Sequence, residues 1–222
     1  MLVNTDGIFW LGQSAFRIES GDKTLYIDPY NIPAAEKKAD LILITHAHFD
    51  HCSSGDVKKI VKKNTLIAAA ESCVGKLESE IKTLRTGDRF DKAGFSVEAV
   101  RAYNTNKDFH PMNNGWLGFV ISLPDGRRIY HAGDTDVIDE MKDIKNIDIA
   151  FLPVGGTYTM NAEEAAAAAR IISPKIAVPM HYGSVVGSAA DAEKFAVLLK
   201  DTIKTVIMGA GITNGDGSYL HQ

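Results

Sequence analysis

Three features of the sequence predict a mixed α/β fold. Leu41 to Thr45 is a continuous run, Leu-Ile-Leu-Ile-Thr, whose lack of alternation suits a strand buried on both faces. The opening and the middle of the chain hold short β-prone segments separated by turn residues. From Asp136 onward, strand-like and helix-like segments alternate.

Residues 8–11, 15–19 and 24–27 read as the first strands, with Ser20-Gly21-Asp22 among the turns between them. After the strand at 41–45, Ser53 or Ser54 can cap a helix to about Lys63, with Val57, Ile60 and Val61 as its apolar spacing and Asn64 as its stop. A strand at 65–69 and a shorter helix at about 71–77 follow. Further strands are expected at 95–101, 116–123 and 127–131, the last two joined by the hairpin signal Pro124-Asp125-Gly126. Residues 147–152 form the next strand. Asn161, with Glu164 three residues on, opens a helix by a capping box; it runs through an alanine-rich stretch to Ile172, and Pro174 forbids its continuation. A strand at 176–180, a helix at 191–200 and a strand at 205–208 complete the series. No linker-like segment interrupts it, so one domain over 1–222 is expected. Construction from two similar halves fits this order, although sequence repetition is too faint to establish it.

Composition narrows the function. The 222 residues carry 24 Lys and Arg against 28 Asp and Glu, and 24 − 28 gives a net charge of −4. A dedicated nucleic-acid binder usually shows a basic excess, so nucleic acid is an unlikely partner. Apolar residues at 45% and charged residues at 23% are ordinary globular values and exclude disorder. Two cysteines make no disulfide framework, which favours reduced thiols and a cytoplasmic address. No secretory signal opens the chain, and no apolar run approaches the ~18 residues of a membrane helix.

Four predicted strands end in chemically loaded residues. The 41–45 strand leads into His46-Ala47-His48-Phe49-Asp50-His51, and the 127–131 strand into Ala132-Gly133-Asp134-Thr135. The 147–152 strand leads into Pro153-Val154-Gly155-Gly156, and the 176–180 strand into His181-Tyr182-Gly183. As parallel neighbours, their carboxyl ends would share one sheet edge, where α/β folds place ligands. In an extended segment His46, His48 and Asp50 point the same way and can converge, while His51 faces elsewhere and suits a second metal. A histidine-rich solvated turn is the bland alternative, and packing three imidazoles with a carboxylate would then cost stability for nothing. Asp134 in its tight turn can bridge two cations, or merely cap the segment at Asp136. His181 is a candidate distal ligand, and His110, in a polar loop before Pro111, is a candidate with an exposed loop histidine as its competitor. His131 reads as a core or supporting residue, and His221 lies near the chain end. Cys52 is expected as a small buried residue at a helix start, and Cys73 stands without chemical company. No G-x-S-x-G, P-loop or C-x-x-C is present.

The His46-x-His48-x-Asp50-His51 motif resembles the signature of the metallo-β-lactamase superfamily. Ile27-Asp28-Pro29, Ala132-Gly133-Asp134-Thr135 and Pro179-Met180-His181-Tyr182-Gly183 arrive in that family's order, and the resemblance spans essentially the whole chain. It implies a four-layer αβ/βα sandwich with metals at the edge between two sheets. It also implies that His46, His48 and His110 bind one metal and Asp50, His51 and His181 the other, with Asp134 bridging and Asp28 orienting the site. Glu stands in the diiron oxidoreductase branch where this chain has His48, which favours hydrolysis. A glyoxalase-II-like helical domain is not expected, and the acidic, compact stretch from Pro153 to Ile172 gives no sign of a nuclease's inserted domain or basic arm. What remains resembles the compact stand-alone hydrolases, similar to the ascorbate-phosphate lactonases and their relatives, through Gly155-Gly156-Thr157-Tyr158-Thr159-Met160-Asn161 and Asn104-Thr105-Asn106-Lys107.

The resemblance therefore implies a hydrolase with two divalent cations, zinc first, with manganese, iron or nickel also suited. Such cations generate hydroxide near neutral pH and polarise an ester, lactone or phosphoester in a small anionic substrate. Asp50 and Asp134 are the candidate catalytic groups, Asp50 as a proton relay. Lys107, Tyr158 and Tyr182 are candidate contacts to an anionic or hydroxylated substrate group, against a reading of ordinary surface polarity. A non-catalytic metal-binding domain and an RNA-processing nuclease are the alternatives. A homo-oligomer is open, with Phe109, Met112 and Trp116 at an interface or lining a pocket.

Overall fold

The computed structural model describes residues 3–210 and forms two sheets, each drawn from one continuous half of the chain. The first holds β1 (Ile8–Gly12), β2 (Ala15–Ser20), β3 (Lys23–Ile27), β4 (Leu41–Ile44), β5 (Leu66–Ala70) and β6 (Lys82–Leu84) in sequence order. The second holds β7 (Arg89–Lys92), β8 (Phe95–Arg101), β9 (Leu117–Ser122), β10 (Arg128–His131), β11 (Ile149–Pro153), β12 (Ile176–Met180) and β13 (Lys204–Thr205), also in sequence order. Each sheet starts antiparallel and ends parallel, with the change at β3 in the first and at β10 in the second. Short hairpins build the antiparallel parts. Longer connections, most of them carrying helix, are what the parallel parts require.

Alternation along the strands builds the layers. Phe16, Ile18, Leu25, Leu41 and Leu43 of the first sheet meet Phe95, Phe119, Ile129 and Phe151 of the second in one core, with the Phe16 and Phe151 rings stacked at 3.9 Å. The other face of the first sheet, through Tyr26, Ile42, Ile44 and Ile67, packs on Val57 and Ile60 of α1 (Ser54–Ile60). The second sheet is covered by α2 (Ala162–Ile172) and α3 (Ala189–Leu199). Five buried alanines line α2, and their small side chains let the helix approach β11 closely. Helix, sheet, sheet and helix make the four-layer αβ/βα sandwich.

Cap chemistry fixes α2 as its sequence predicts. Asn161 Oδ1 accepts from the Glu164 backbone N–H, Glu164 Oε2 accepts from the Asn161 N–H, and Ser173 turns left-handed just before Pro174. Other expectations need correction. α1 stops at Ile60 because Val61 is extended and Thr65 Oγ1 accepts from the Lys62 amide, closing a turn. The helix expected at 71–77 is a 3₁₀ turn, Glu71–Cys73, ended by an extended Val74. The last strand spans Lys204–Thr205 and not 205–208, while β6 and β7 are edge strands too charged and short for the pattern to reveal. The four loaded strand ends are also not one parallel row. β10, β11 and β12 are neighbours in the second sheet, whereas β4 belongs to the first and meets them across the sandwich. One link between the sheets there is the Leu117 amide donating to the Thr45 carbonyl at 3.1 Å.

Gly133 follows β10 with φ +64, and a Cβ there would lie 2.4 Å from the Leu117 carbonyl oxygen. Gly133→Ala should therefore cost at least about 2 kcal/mol through backbone strain and overlap. Gly126→Ala, with φ +89 but open space around it, should cost only about 1 kcal/mol. Urea midpoints at unchanged slope measure both.

Candidate metal centre

β4 delivers the buried Thr45 and His46 to the sandwich edge, and there the chain turns. The His51 and Cys52 amides both donate to the His48 carbonyl, at 3.1 and 2.8 Å. The segment is therefore not extended beyond His48, and His46, His48 and Asp50 do not converge on one point. The turn instead leaves His46 and His48 in one group and carries Asp50 and His51 into a second. The second sheet adds Asp134 beyond β10, His181 beyond β12, and His110 from the loop between β8 and β9.

His46, His48, His110 and Asp134 bring one ligand-type atom each to within 4.8 Å of one another, as do Asp50, His51 and His181. Asp134 lies between the two groups. Its Oδ2 is 3.2 Å from His110 Nε2 and 3.9 Å from His46 Nε2 on one side, and 3.4 Å from His51 Nε2 and 3.1 Å from His181 Nε2 on the other. His48 is the exposed member; the other six are buried.

Neighbouring groups set the direction of each ring. His51 Nδ1 lies 2.8 Å from Asp28 Oδ2, which leaves Nε2 for the cluster. Asp28 itself is buried with φ +45, and accepts from the Thr45 amide and hydroxyl at 2.7 Å each. His110 Nδ1 donates to the Tyr158 carbonyl at 3.0 Å, so its Nε2 also faces inward. His131 is satisfied twice: Nε2 donates to the Ser14 carbonyl at 3.0 Å, and Nδ1 accepts from the Gly133 amide at 3.2 Å. It supports the Asp134 turn and joins neither group.

Gln13, which carries no pattern in the sequence, is a further support. Its Nε2 donates to Asp50 Oδ2 at 2.9 Å, and its carbonyl accepts from the His181 amide at 2.8 Å. It sits at a hairpin turn beside Gly12 with φ +49, a conformation uncommon outside glycine.

The electrostatics call for a cation. Burial raises the Asp134 pKa, but the His181 and His51 rings outweigh it and hold the carboxyl well below the usual range. Burial opposes the His51 imidazolium, yet Asp134 and Asp28 hold its pKa well above the ordinary histidine value. Burial and the His51 ring push His46 well down. His51 Nε2, His110 Nε2, His181 Nε2 and Asp134 Oδ1 are buried without hydrogen-bond partners. Orphaned buried nitrogens aimed at a shared carboxylate are expensive unless something pairs them. Five imidazoles and two carboxylates are donors that suit zinc and its neighbours.

Residues 7–181 match the model of the Beta-lactamase superfamily domain. The chain belongs to the beta-lactamase superfamily. Within that superfamily it is similar to a UPF0173 metal-dependent hydrolase of Pyrococcus abyssi, with 35% identity covering 91% of this chain and 96% of that one. A UPF0173 metal-dependent hydrolase of Thermoplasma acidophilum is 38% identical, covering 86% and 89%. The crystal structure of a Parabacteroides distasonis protein named as a metal-dependent hydrolase superposes with a TM-score of 0.82 at 36% identity, covering 90% and 91%.

In this superfamily member the two groups floor a cavity of about 200 Å³, walled by Phe49, Phe109, Tyr158 and Val185. Of the expected substrate contacts, Tyr158 is in that wall, its ring meeting Phe109 edge-on at 4.7 Å. The other two are corrected. Lys107 is held by an ion pair with the buried Asp136, faces Glu164, and does not line the cavity. Tyr182 is buried, stacked on Trp10 at 4.8 Å. Trp116 stacks on His46 at 4.6 Å, and so packs against the metal-type residues themselves. Cys52 and Cys73 are free thiols buried in the same smaller core, so Cys73 does have company, and neither joins a group. His221 lies outside the described residues. Among the described residues, no helix is long and apolar enough to cross a membrane.

Asp28→Asn should weaken metal uptake about 10–100-fold while leaving the fold intact, as chelator competition would read. Because His51 holds its proton well above the usual value, a cation must displace that proton. Zinc affinity should rise with pH through neutrality, with proton release detectable by calorimetry in buffers of different ionisation enthalpy. Affinity independent of pH would contradict this assignment.

Proposed function

We propose that the chain is a two-cation hydrolase that cleaves an ester, lactone or phosphoester bond in a small substrate. In this reading His46, His48 and His110 would hold one cation, Asp50, His51 and His181 would hold the other, and Asp134 would serve both. The observation that carries it is Asp134 Oδ2, within 3.1–3.9 Å of imidazole nitrogens from both groups. A carboxylate so surrounded would serve cations held by either group. When bound, zinc or a similar divalent pair supplies Lewis acidity and a water of lowered pKa.

The chain's own residues do the rest. Asp28 and the Tyr158 carbonyl fix the His51 and His110 rings, which keeps the reacting centre from reorganising. Asp50 opens onto the cavity and is steadied by Gln13, so it is the group placed to take and return the proton of the attacking water. Asp134 is less suited to that task, because the rings around it suppress its proton affinity. The nuclease alternative has less support, since among the described residues no Lys or Arg lines the cavity.

Protein stripped of metal and then reloaded with zinc should be compared on 4-nitrophenyl acetate, a γ-lactone and bis(4-nitrophenyl) phosphate. Turnover of at least one should require metal. His48→Ala and Asp134→Asn should each lower it by more than about 100-fold, the upper end of what loss of an outer partner costs. Two seated metals with no turnover of any ester would favour the non-catalytic alternative.

A further inference from the structure

We propose that the part of the substrate that does not react is uncharged and apolar, an alkyl or aryl group gripped between Phe49, Phe109, Tyr158 and Val185. The inference rests on the hydrolase reading and narrows its substrate class. Phe49 is 66% exposed and Phe109 49% exposed, unusual values for aromatic side chains in a sandwich whose other phenylalanines are buried or half-buried. They are not scattered. Phe49 sits between His48 and Asp50, Phe109 immediately precedes His110, and Val185 lies on the loop that follows His181, so each is carried by a segment that also supplies the centre. Tyr30 props Phe49 at 5.9 Å and Tyr158 props Phe109 at 4.7 Å, both edge-on. An apolar collar fixed to the segments of a reactive centre is a binding wall, and its exposure is relieved when a ligand fills it.

Charge points the same way. Lys107, the cation expected to meet the substrate, is held by Asp136. Among the described residues no Lys or Arg enters the cavity wall, and the Asp28, Asp50 and Asp134 carboxyl groups offset most of the charge that two divalent cations would bring. An anionic tail would leave water for a wall with nothing to pair it, and an apolar tail would not. The cavity, about 200 Å³, lies below the ~300–1,000 Å³ of sites for drug-sized ligands, so the tail is short.

The test compares tails that differ in length and then in charge on the zinc-loaded protein. 4-Nitrophenyl hexanoate should exceed 4-nitrophenyl acetate in kcat/KM by at least about tenfold, each buried methylene being worth roughly three- to fourfold. 4-Nitrophenyl hydrogen adipate, equal in length to the hexanoate but charged at its end, should fall about tenfold or more below it. Phe49→Ser and Phe109→Ser, both at exposed positions, should collapse the hexanoyl preference mainly through KM. Binding of hexanohydroxamic acid against adipic monohydroxamic acid, by calorimetry, reads the tail without turnover. Tighter binding of the hexano compound by a protein that hydrolyses nothing would sink the hydrolase reading and leave the collar standing. Equal or tighter binding of the adipic compound, or binding of neither, would overturn the collar, while the hydrolase reading stands or falls on turnover. A dimer that dissociates in the two serine variants with tail preference unchanged would also overturn the inference, by assigning the collar to a second copy of the chain.

Discussion

The Asp28 carboxyl group is fully buried, and both of its oxygens are engaged, one by the Thr45 amide and the other by the Thr45 hydroxyl and His51 Nδ1. Most of the polar edge of the sandwich is organised from that point. Thr45 is held as it leaves β4, so the turn at His48 starts from a fixed place, and His51 is aimed with Nε2 toward Asp134. Thr45 in turn receives Leu117 through its carbonyl, which ties the second sheet to the same anchor. A buried carboxylate is tolerated only when its bonds are made, and here making them builds the site.

The backbone pays for this arrangement. Gln13, Asp28 and His181 all have positive φ without being glycine; His181 belongs to one of the two groups, and Gln13 and Asp28 each contact a member of it. Such conformations persist only where their surroundings over-determine them. Gln13 shows how: its side chain steadies Asp50 and its carbonyl takes the His181 amide, so one strained residue serves two others from opposite sheets. Gly133 completes the set, where a close carbonyl leaves no room for any side chain.

What could be read in the sequence was what is local. The capping box of α2, the apolar run of β4 and the histidine-rich segment all carry their own signals within a few residues. So does the Gly133-Asp134 turn. The division of ligand-type residues into two groups was not legible from the residues alone, because it depends on a turn at the His48 carbonyl that alternation cannot foresee; the family resemblance had to supply it. Lys107 was misread for a related reason. Its partner Asp136 lies far along the chain, and only the folded loop shows that the ammonium is already committed. β6 and β7 escaped because edge strands need little apolar patterning.

Each group draws its members from both sheets: His46 and His48 join His110 and Asp134, while Asp50 and His51 join His181. Since each sheet is one continuous half of the chain, a cation seated in either group would act as a clasp between two halves that otherwise meet chiefly through apolar contacts. By mass action, such a clasp adds stability in proportion to the logarithm of free metal, so the ambient metal supply and the endurance of the fold become linked quantities. A chain starved of metal would lose more than its chemistry. The seam between its halves would be the place where it first begins to open.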